Sequence, residues 1–181
     1  MLAAVDALLA EGGYDALSIE AVAERSGVHR ATIYRRWGSV PMLLVDLLAL
    51  GIEDDWQAPD TGSLKSDLIA INREICDAMI VEPSLTVAVI AATFCSPEAA
   101  DALRRFWIDR YQRCRVVVER AVDRGEIPAS TDAHRLLMSA TGPLYHQRML
   151  MREPLTHADA DAYALAALGL IGGSREPRRG R

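Results

Sequence analysis

The residues with the clearest chemical potential lie in one short basic segment near the N-terminus. Between Arg25 and Trp37 the chain carries four arginines and no acidic residue, whereas the whole chain of 181 residues has a formal charge of −5. Guanidinium groups suit phosphate oxygens and the O6 and N7 edge of guanine. Because a basic stretch alone is more often a solvated helix face, the spacing of its residues must decide between the two interpretations.

Residues 18–37 have the pattern of a helix-turn-helix, in which two short helices are joined by a tight turn. Ser18 is a natural N-cap for the first helix, and Gly27 supplies the turn. The second helical run spans residues 28–37 and is predicted to be the recognition helix, which enters the major groove of DNA. The residues predicted to hold the two helices together are Val22, Ala23, Gly27, Val28, Ile33 and Trp37.

The recognition helix has two unlike faces when its residues are spaced about 100° apart. With Ile33 taken as the inward direction, Ala31 and Arg35 lie about 160° away, on the outward face. Ala31 could touch a thymine methyl group, Arg35 could reach a guanine, and Arg30 in the first turn could also read a base. Phosphate contacts are predicted for Thr32, Tyr34, Arg36 and Ser39.

The elements that position this segment are also predicted to be helices. Aromatic residues make up only 6% of the chain, although 50% of it is hydrophobic, and apolar residues recur at helical spacing. Glycines and prolines separate about nine helices, and Pro143 would kink the helix predicted over residues 133–152. Thr156 and Asp159 resemble a capping box for the last helix. The fold class predicted is therefore all-α.

Composition excludes several classes of protein. Three cysteines without a close pair predict neither a disulfide framework nor a metal knuckle, so we expect no metal and no cofactor. The absence of HExxH, GxSxG and a glycine-rich phosphate loop predicts that the chain is not an enzyme. No run reaches the ~18 apolar residues of a membrane span and no secretory signal opens the chain, so we expect a cytoplasmic protein without membrane contact.

The segment AVAERSGVHRATIYRRWGSVPMLL resembles the DNA-binding signature of the tetracycline-repressor (TetR/AcrR) family of bacterial transcriptional regulators. A later stretch, from ERAVDRGEIPASTDAHRLL onward, is similar to the regulatory domain of one branch of that family. The resemblance implies an all-α homodimer that represses transcription from a near-palindromic double-stranded operator until a small molecule binds its C-terminal domain. It also implies base contacts from Arg30, Ala31 and Arg35 and phosphate contacts from Thr32, Tyr34 and Arg36.

On this resemblance we predict a helix-turn-helix DNA-binding domain over residues 1–47, a ligand-binding and dimerisation domain over residues 48–172 and a disordered tail over residues 173–181. Two residues depart from the family pattern. His29 stands where serine commonly caps the recognition helix, and Val40 stands where a phosphate-contacting lysine is common. The chain also starts inside the first helix, without the basic residues that often precede it. We expect these departures to weaken affinity more than specificity.

The C-terminal helices carry the side chains of the two remaining predicted sites. The predicted ligand pocket is lined by Trp56, Met79, Phe94, Trp107, Tyr111, Tyr145, His146 and Met149. The last helix is apolar on all faces, so we expect it to bury one face in a partner subunit, with Leu137, Tyr163, Ala167 and Leu170 in the interface. Both sets have a plainer interpretation, since such side chains at helical spacing are usually the core of one subunit.

Two other functions remain compatible with the sequence. The first is a helical ligand-binding or scaffold protein that has lost operator binding, which the missing arm and Val40 favour. Replacing Arg35 by alanine would leave the partner binding of such a protein unchanged. The second is a small helical enzyme, which would need an acid and a nucleophile that converge in the pocket, and the sequence shows no such pair.

Overall fold

The computed structural model describes residues 1–50 and 56–172, which contain helices and turns but no strand. The predicted all-α fold is therefore confirmed, while the tail predicted over residues 173–181 lies outside the described residues. A short 3-10 helix spans Tyr14–Ala16, and a π-helix spans His146–Met151. The nine α-helices of the described residues are α1 (Leu2–Gly12), α2 (Ile19–Ser26), α3 (Arg30–Trp37), α4 (Val40–Leu50), α5 (Leu64–Ile80), α6 (Leu85–Thr93), α7 (Pro97–Asp123), α8 (Ala133–Tyr145) and α9 (His157–Gly172).

The helix-turn-helix is formed by α2 and α3. The Ser18 hydroxyl accepts a hydrogen bond from the Ala21 amide at 3.0 Å, which confirms the predicted cap at the start of α2. Gly27 ends α2 in the left-handed conformation, with φ 67° and ψ 7°. Because Val28 and His29 leave this turn in non-helical conformation, α3 begins at Arg30 and is shorter than the run predicted from residue 28.

Gly27 gives a test of the turn that depends on backbone conformation alone. A Cβ atom there would meet no atom within 4 Å, so Gly27→Ala would add no clash. We expect this variant to lose about 1 to 2 kcal/mol of unfolding free energy, because alanine rarely adopts the left-handed region, whereas Gly27→Asn should lose less. Urea denaturation followed by circular dichroism measures both losses. Equal losses, or none, would contradict the assigned conformation.

The contacts of the chain divide it into two compact units, and the first joins Met1–Trp56 with Val81–Asp109. Its core is built from α1 to α4, α6 and the start of α7, and α6 packs on α4. The nearly all-apolar run of residues 85–95 predicts one short helix that is buried on every side. The structure corrects both its end and its burial, because α6 ends at Thr93 and Ala91 is exposed, while Ala88, Val89 and Ala92 are buried.

The second unit joins Gln57–Ile80 with the chain from Arg110 onward, and α5, α8 and α9 form its centre. The buried Asn72 side chain on α5 donates hydrogen bonds of 2.9 Å to the carbonyl oxygens of Ala140 on α8 and Ala160 on α9. Small residues at these points allow the three helices to approach closely. One amide group therefore fixes the positions of α8 and α9 relative to α5.

The segment between α8 and α9 changes its helix type. Pro143 lies inside α8, which continues to Tyr145 and then widens into the π-helix until Arg152, at φ 56°, ends it. The structure therefore shows a change of hydrogen-bond register shortly after the proline. At the start of α9, the Thr156 amide donates to Asp159 Oδ2 at 2.9 Å and the Asp159 amide donates to Thr156 Oγ1 at 3.2 Å, which confirms the capping box.

Candidate nucleic-acid interface

Helix α3 presents a basic and small-residue face to solvent. Ile33 is fully buried against the core of its unit, whereas six other residues of α3 are exposed. The exposed residues are Arg30, Ala31, Thr32, Tyr34, Arg35 and Arg36. The helix therefore has the two faces that its spacing predicts, and its outward face combines three guanidinium groups with hydroxyl groups and one methyl group. These are the groups that read bases and hold phosphates in DNA complexes.

The inner residues of the helix-turn-helix differ in their burial. Val22 of α2 is fully buried, like Ile33 of α3. Ala23, Val28 and Trp37 are half-buried and pack against this core, while Gly27 is exposed at the turn. Because these residues pack where α2 meets α3, they hold α3 at a set angle to the rest of the unit.

A polar contact holds the C-terminal end of α3 on α4. The Trp37 indole N–H donates a hydrogen bond of 2.7 Å to Asp46 Oδ2. The Arg36 guanidinium carbon lies 4.5 Å from the centre of the Trp37 ring, a cation–π distance. Trp37 thus links α4 to a cation on the exposed face of α3.

Trp37→Phe tests this end of α3, because it removes the indole donor together with part of the ring that packs on the core. Asp46 would lose its indole donor, and we expect a loss of about 1 to 2 kcal/mol of unfolding free energy. Asp46→Asn keeps an acceptor oxygen and should cost less. Urea denaturation followed by circular dichroism compares the two variants, and a larger loss for Asp46→Asn would refute the role given to the bond.

A side-chain cap and an ion pair lie at the N-terminal end of α3. His29 Nδ1 accepts from the Ala31 amide at 3.4 Å, a long hydrogen bond that makes a weak cap. Arg30 Nη2 lies 2.7 Å from Glu20 Oε1 of α2, so an ion pair joins the first turns of the two helices. The departure from serine at position 29 is therefore accompanied by a second contact at the same end of α3.

Acidic residues of α1 and α2 neutralise part of the basic segment. Arg25 pairs with Glu11 through the two terminal nitrogens of its guanidinium group, and the hydrogen bond from Arg25 lowers the pKa of the Glu11 carboxyl. Arg30 pairs with Glu20. Two of the four arginines of the basic segment therefore form ion pairs with acidic residues of α1 and α2. Sequence reasoning missed Glu11 and Glu20, because they lie outside the segment that was counted.

The start of α4 has fewer exposed polar or charged side chains than α3. Ser39 is half-buried directly before α4, and its carbonyl accepts from the Leu43 amide at 3.4 Å. Val40 opens α4 and carries no charge where the family pattern has lysine. The phosphate contact predicted for Ser39 remains a prediction.

The second unit contains a polar cluster among residues of α5, α7 and α8. The Tyr111 hydroxyl lies 2.9 Å from Thr141 Oγ1. Burial raises the pKa of Tyr145 well above its usual value, and this phenol interacts electrostatically with Tyr111 and Arg110. The Arg110 side chain is only 16% exposed and lies 3.9 Å from Glu74, and burial lowers the pKa of its guanidinium group. Sequence reasoning found the two tyrosines but missed Arg110, Glu74 and Thr141.

The remaining residues of the predicted pocket are divided between the two compact units. Within the second unit, Met79 is fully buried, Met149 is half-buried and His146 is exposed. Within the first unit, Trp56 and Trp107 are half-buried, and Phe94 is 77% exposed at the end of α6. The structure thus brings Tyr111 and Tyr145 into one cluster of the second unit, whereas Trp56, Phe94 and Trp107 belong to the first unit.

The residues predicted for the dimer interface are divided between core and surface. Leu137 and Ala167 are buried within their own subunit, because they face the packing of α5, α8 and α9. The Tyr163 hydroxyl donates to Gln147 Oε1 at 2.6 Å. Leu170 is 64% exposed, and the other exposed large apolar residues of α8 and α9 are Met138 and Leu165.

Residues 1–50 and 56–172 contain no group of three or more His, Cys, Asp or Glu side chains that could hold a metal ion. Within the same residues no single helix is long and apolar enough to cross a membrane, and only α5 and α6 taken as a bent pair meet that criterion.

Two known protein families match this chain, one near the N-terminus and one over most of the remaining residues. The family described as "Bacterial regulatory proteins, tetR family" matches residues 1–40, and the one described as "Tetracyclin repressor-like, C-terminal domain" matches residues 58–167. The HTH-type transcriptional regulator AqdR of Rhodococcus erythropolis is 34% identical over 81% of this chain and 70% of its own. The DNA-binding transcriptional repressor TetR of Mycobacteroides abscessus is 31% identical over 87% of this chain and 84% of its own.

A solved structure agrees with these matches in three dimensions. The crystal structure of the TetR family transcription regulator SCO0332 superposes with a TM-score of 0.76. It is 29% identical and covers 93% of this chain and 94% of its own. The similarity therefore extends over both compact units.

Proposed function

Because the chain belongs to the tetracycline-repressor (TetR) family of bacterial transcriptional regulators, we propose that it is a repressor that a small molecule releases from its operator. It acts as a homodimer on a near-palindromic operator in the bacterial cytoplasm, where the DNA lies. The similarity to a named repressor from Mycobacteroides abscessus supports repression rather than activation.

The observation that carries the proposal is the geometry of α3. A fully buried Ile33 fixes the helix on its inner side, while Ala31 and Arg35 lie exposed on the outer side. With no large side chain between them and solvent, the outer face can approach base edges in the major groove. This orientation supports the proposed base contacts of Arg30, Ala31 and Arg35 and the proposed phosphate contacts of Thr32, Tyr34 and Arg36.

Dimerisation and ligand binding belong to the helices that follow. We assign residues 1–47 to DNA binding and residues 48–172 to ligand binding and dimerisation, which the family matches over residues 1–40 and 58–167 support. The exposed apolar residues Met138, Leu165 and Leu170 of α8 and α9 are the surface offered to a second subunit. Two-fold symmetry would then place the two recognition helices about 34 to 36 Å apart, or somewhat farther, in successive major grooves.

The ligand is proposed to contact the polar cluster of the second unit. Tyr111, Tyr145 and Arg110 combine aromatic surface with hydroxyl and guanidinium donors, which is typical of a small-molecule site between helices. A ligand that binds the dimer better when its recognition helices no longer match the groove spacing would shift the population away from DNA. Cys114 stays a neutral thiol in this cluster, because burial raises its pKa to about 11.

The experiment is a mobility-shift assay on the DNA upstream of the gene that encodes the chain. We expect a specific complex at low salt that resists competition by unrelated duplex DNA and is lost on mild increases in salt. Analytical ultracentrifugation of the same sample verifies the dimer. A confirmed dimer that forms no specific complex would refute the proposed repressor function.

A further inference from the structure

The ion pair at the start of α3 suggests how non-operator DNA is rejected. We propose that Glu20 is a specificity-determining residue, because its carboxylate competes with DNA for the guanidinium group of Arg30. The two groups lie 2.7 Å apart, and their side chains are 57% and 64% exposed. The inference rests on the DNA-binding role of α3 proposed above and adds a residue of α2 to it.

The pair is strong enough to hold Arg30 and weak enough to release it. An exposed ion pair shifts an equilibrium by only about 1.4-fold to fivefold. A bidentate contact between arginine and guanine discriminates between bases by about fivefold to 150-fold. Arg30 therefore gains by leaving Glu20 where a guanine is within reach, and gains little where DNA offers only a phosphate.

On non-operator DNA both arrangements of the pair are unfavourable. If Arg30 stays with Glu20, each recognition helix has one cation fewer for the phosphates. If Arg30 moves to a phosphate, the Glu20 carboxylate is left without its partner beside a polyanion. Glu20 thus weakens binding to any sequence that fails to supply a guanine contact.

The other ion pair of the basic segment has a different geometry. Arg25, in the last turn of α2, binds Glu11 through both terminal guanidinium nitrogens, Nη1 and Nη2. A bidentate pair is harder to exchange than a single contact. Arg30 is consequently the arginine of this segment whose partner is both acidic and readily replaced.

The test compares Glu20→Gln with Glu24→Gln on a random-sequence duplex. Both variants remove one negative charge from α2, but among the residues that the structure describes no ion pair involves Glu24. For Glu20→Gln we expect binding about threefold tighter for each recognition helix, as an exposed pair implies. Its slope of log affinity against log salt should steepen by about 0.9 for each subunit, since one more cation reaches a phosphate. Glu24→Gln should change neither quantity appreciably.

A second background isolates the role of Arg30. In Arg30→Gln the exchange cannot occur, so adding Glu20→Gln should leave affinity for the random duplex unchanged. The proposed competition between Glu20 and DNA for Arg30 is refuted if Glu20→Gln also strengthens binding in the Arg30→Gln background. It is equally refuted if Glu24→Gln has the same effect as Glu20→Gln in the wild-type background. Urea denaturation of each variant shows that α2 remains folded, because Glu20 also lies in the first turn of that helix.

The final arm measures specificity on duplexes that the wild-type protein enriches from a random pool. The ratio of affinity for enriched duplexes to affinity for the random duplex should fall about threefold for each recognition helix in Glu20→Gln. An unchanged ratio overturns the proposal. If the wild-type protein enriches no sequence at all, the repressor function fails, while the random-duplex arm still decides whether Glu20 competes for Arg30.

Discussion

Replacing Arg35 by alanine is expected to weaken operator binding by about 1 to 3 kcal/mol for each recognition helix. Arg35 is exposed on the face of α3 opposite the buried Ile33, the face that we propose to enter the major groove. If Arg35 binds a guanine there, its loss would remove a bidentate contact and leave the guanine edge without its donor. Fluorescence anisotropy at one fixed salt concentration, on a duplex that the wild-type protein enriches, measures the effect.

A matched control separates base reading from charge. Arg105→Ala removes another exposed arginine from the same compact unit, and it should leave operator affinity nearly unchanged. If Arg35 instead held a phosphate, Arg35→Ala would weaken binding about equally for all sequences and reduce the salt slope by about 1. That outcome would contradict base reading by Arg35, and an unchanged affinity would contradict the DNA-binding role of this face.

The second large effect is expected from Ile33→Ala. Ile33 is fully buried on the inner face of the recognition helix, so truncation of its side chain leaves a cavity. We expect this cavity to cost about 2 to 5 kcal/mol of unfolding free energy. Ile33→Val removes a single methylene group and should cost about 0.5 to 1.5 kcal/mol. The loss should also weaken operator binding, because α3 would no longer be held at one angle.

Tryptophan fluorescence is well suited to this measurement. All three tryptophans, Trp37, Trp56 and Trp107, lie in the same compact unit as Ile33, so their emission during urea denaturation reports on that unit. The protein concentration must be equal for each variant, since dimerisation stabilises the folded state by mass action. If Ile33→Ala costs no more than Ile33→Val, Ile33 does not support α3 as the structure indicates.

The sequence predicted the helix-turn-helix well because its signals are local. Ser18 caps α2 and Gly27 ends it through hydrogen bonds and dihedral angles that involve a few neighbouring residues. The capping box of Thr156 and Asp159 was predicted for the same reason. The spacing of Ile33 identified the buried side of α3, since a helix repeats its faces every few residues.

The errors came from features that depend on distant parts of the chain. The four arginines of the basic segment were counted correctly, but the count could not show that Arg25 is paired with Glu11, fourteen residues away. Helix α6 was predicted to be buried all round from its apolar composition, yet Ala91 and Phe94 are exposed. Composition shows that a helix can be buried, but the neighbours that cover it come from elsewhere in the fold.

The family signature, the helical class and the two faces of α3 were all predictable from the amino-acid sequence. Each of these depends on residue types within one or two helical turns, where hydrogen bonds and side-chain spacing decide the outcome. Three features became visible in the folded chain alone: the pairing of arginines with acids, the link that Asn72 makes from α5 to α8 and α9, and the cluster of Tyr111 and Tyr145 with Arg110. These contacts join different helices, so they exist only once packing has brought the helices together.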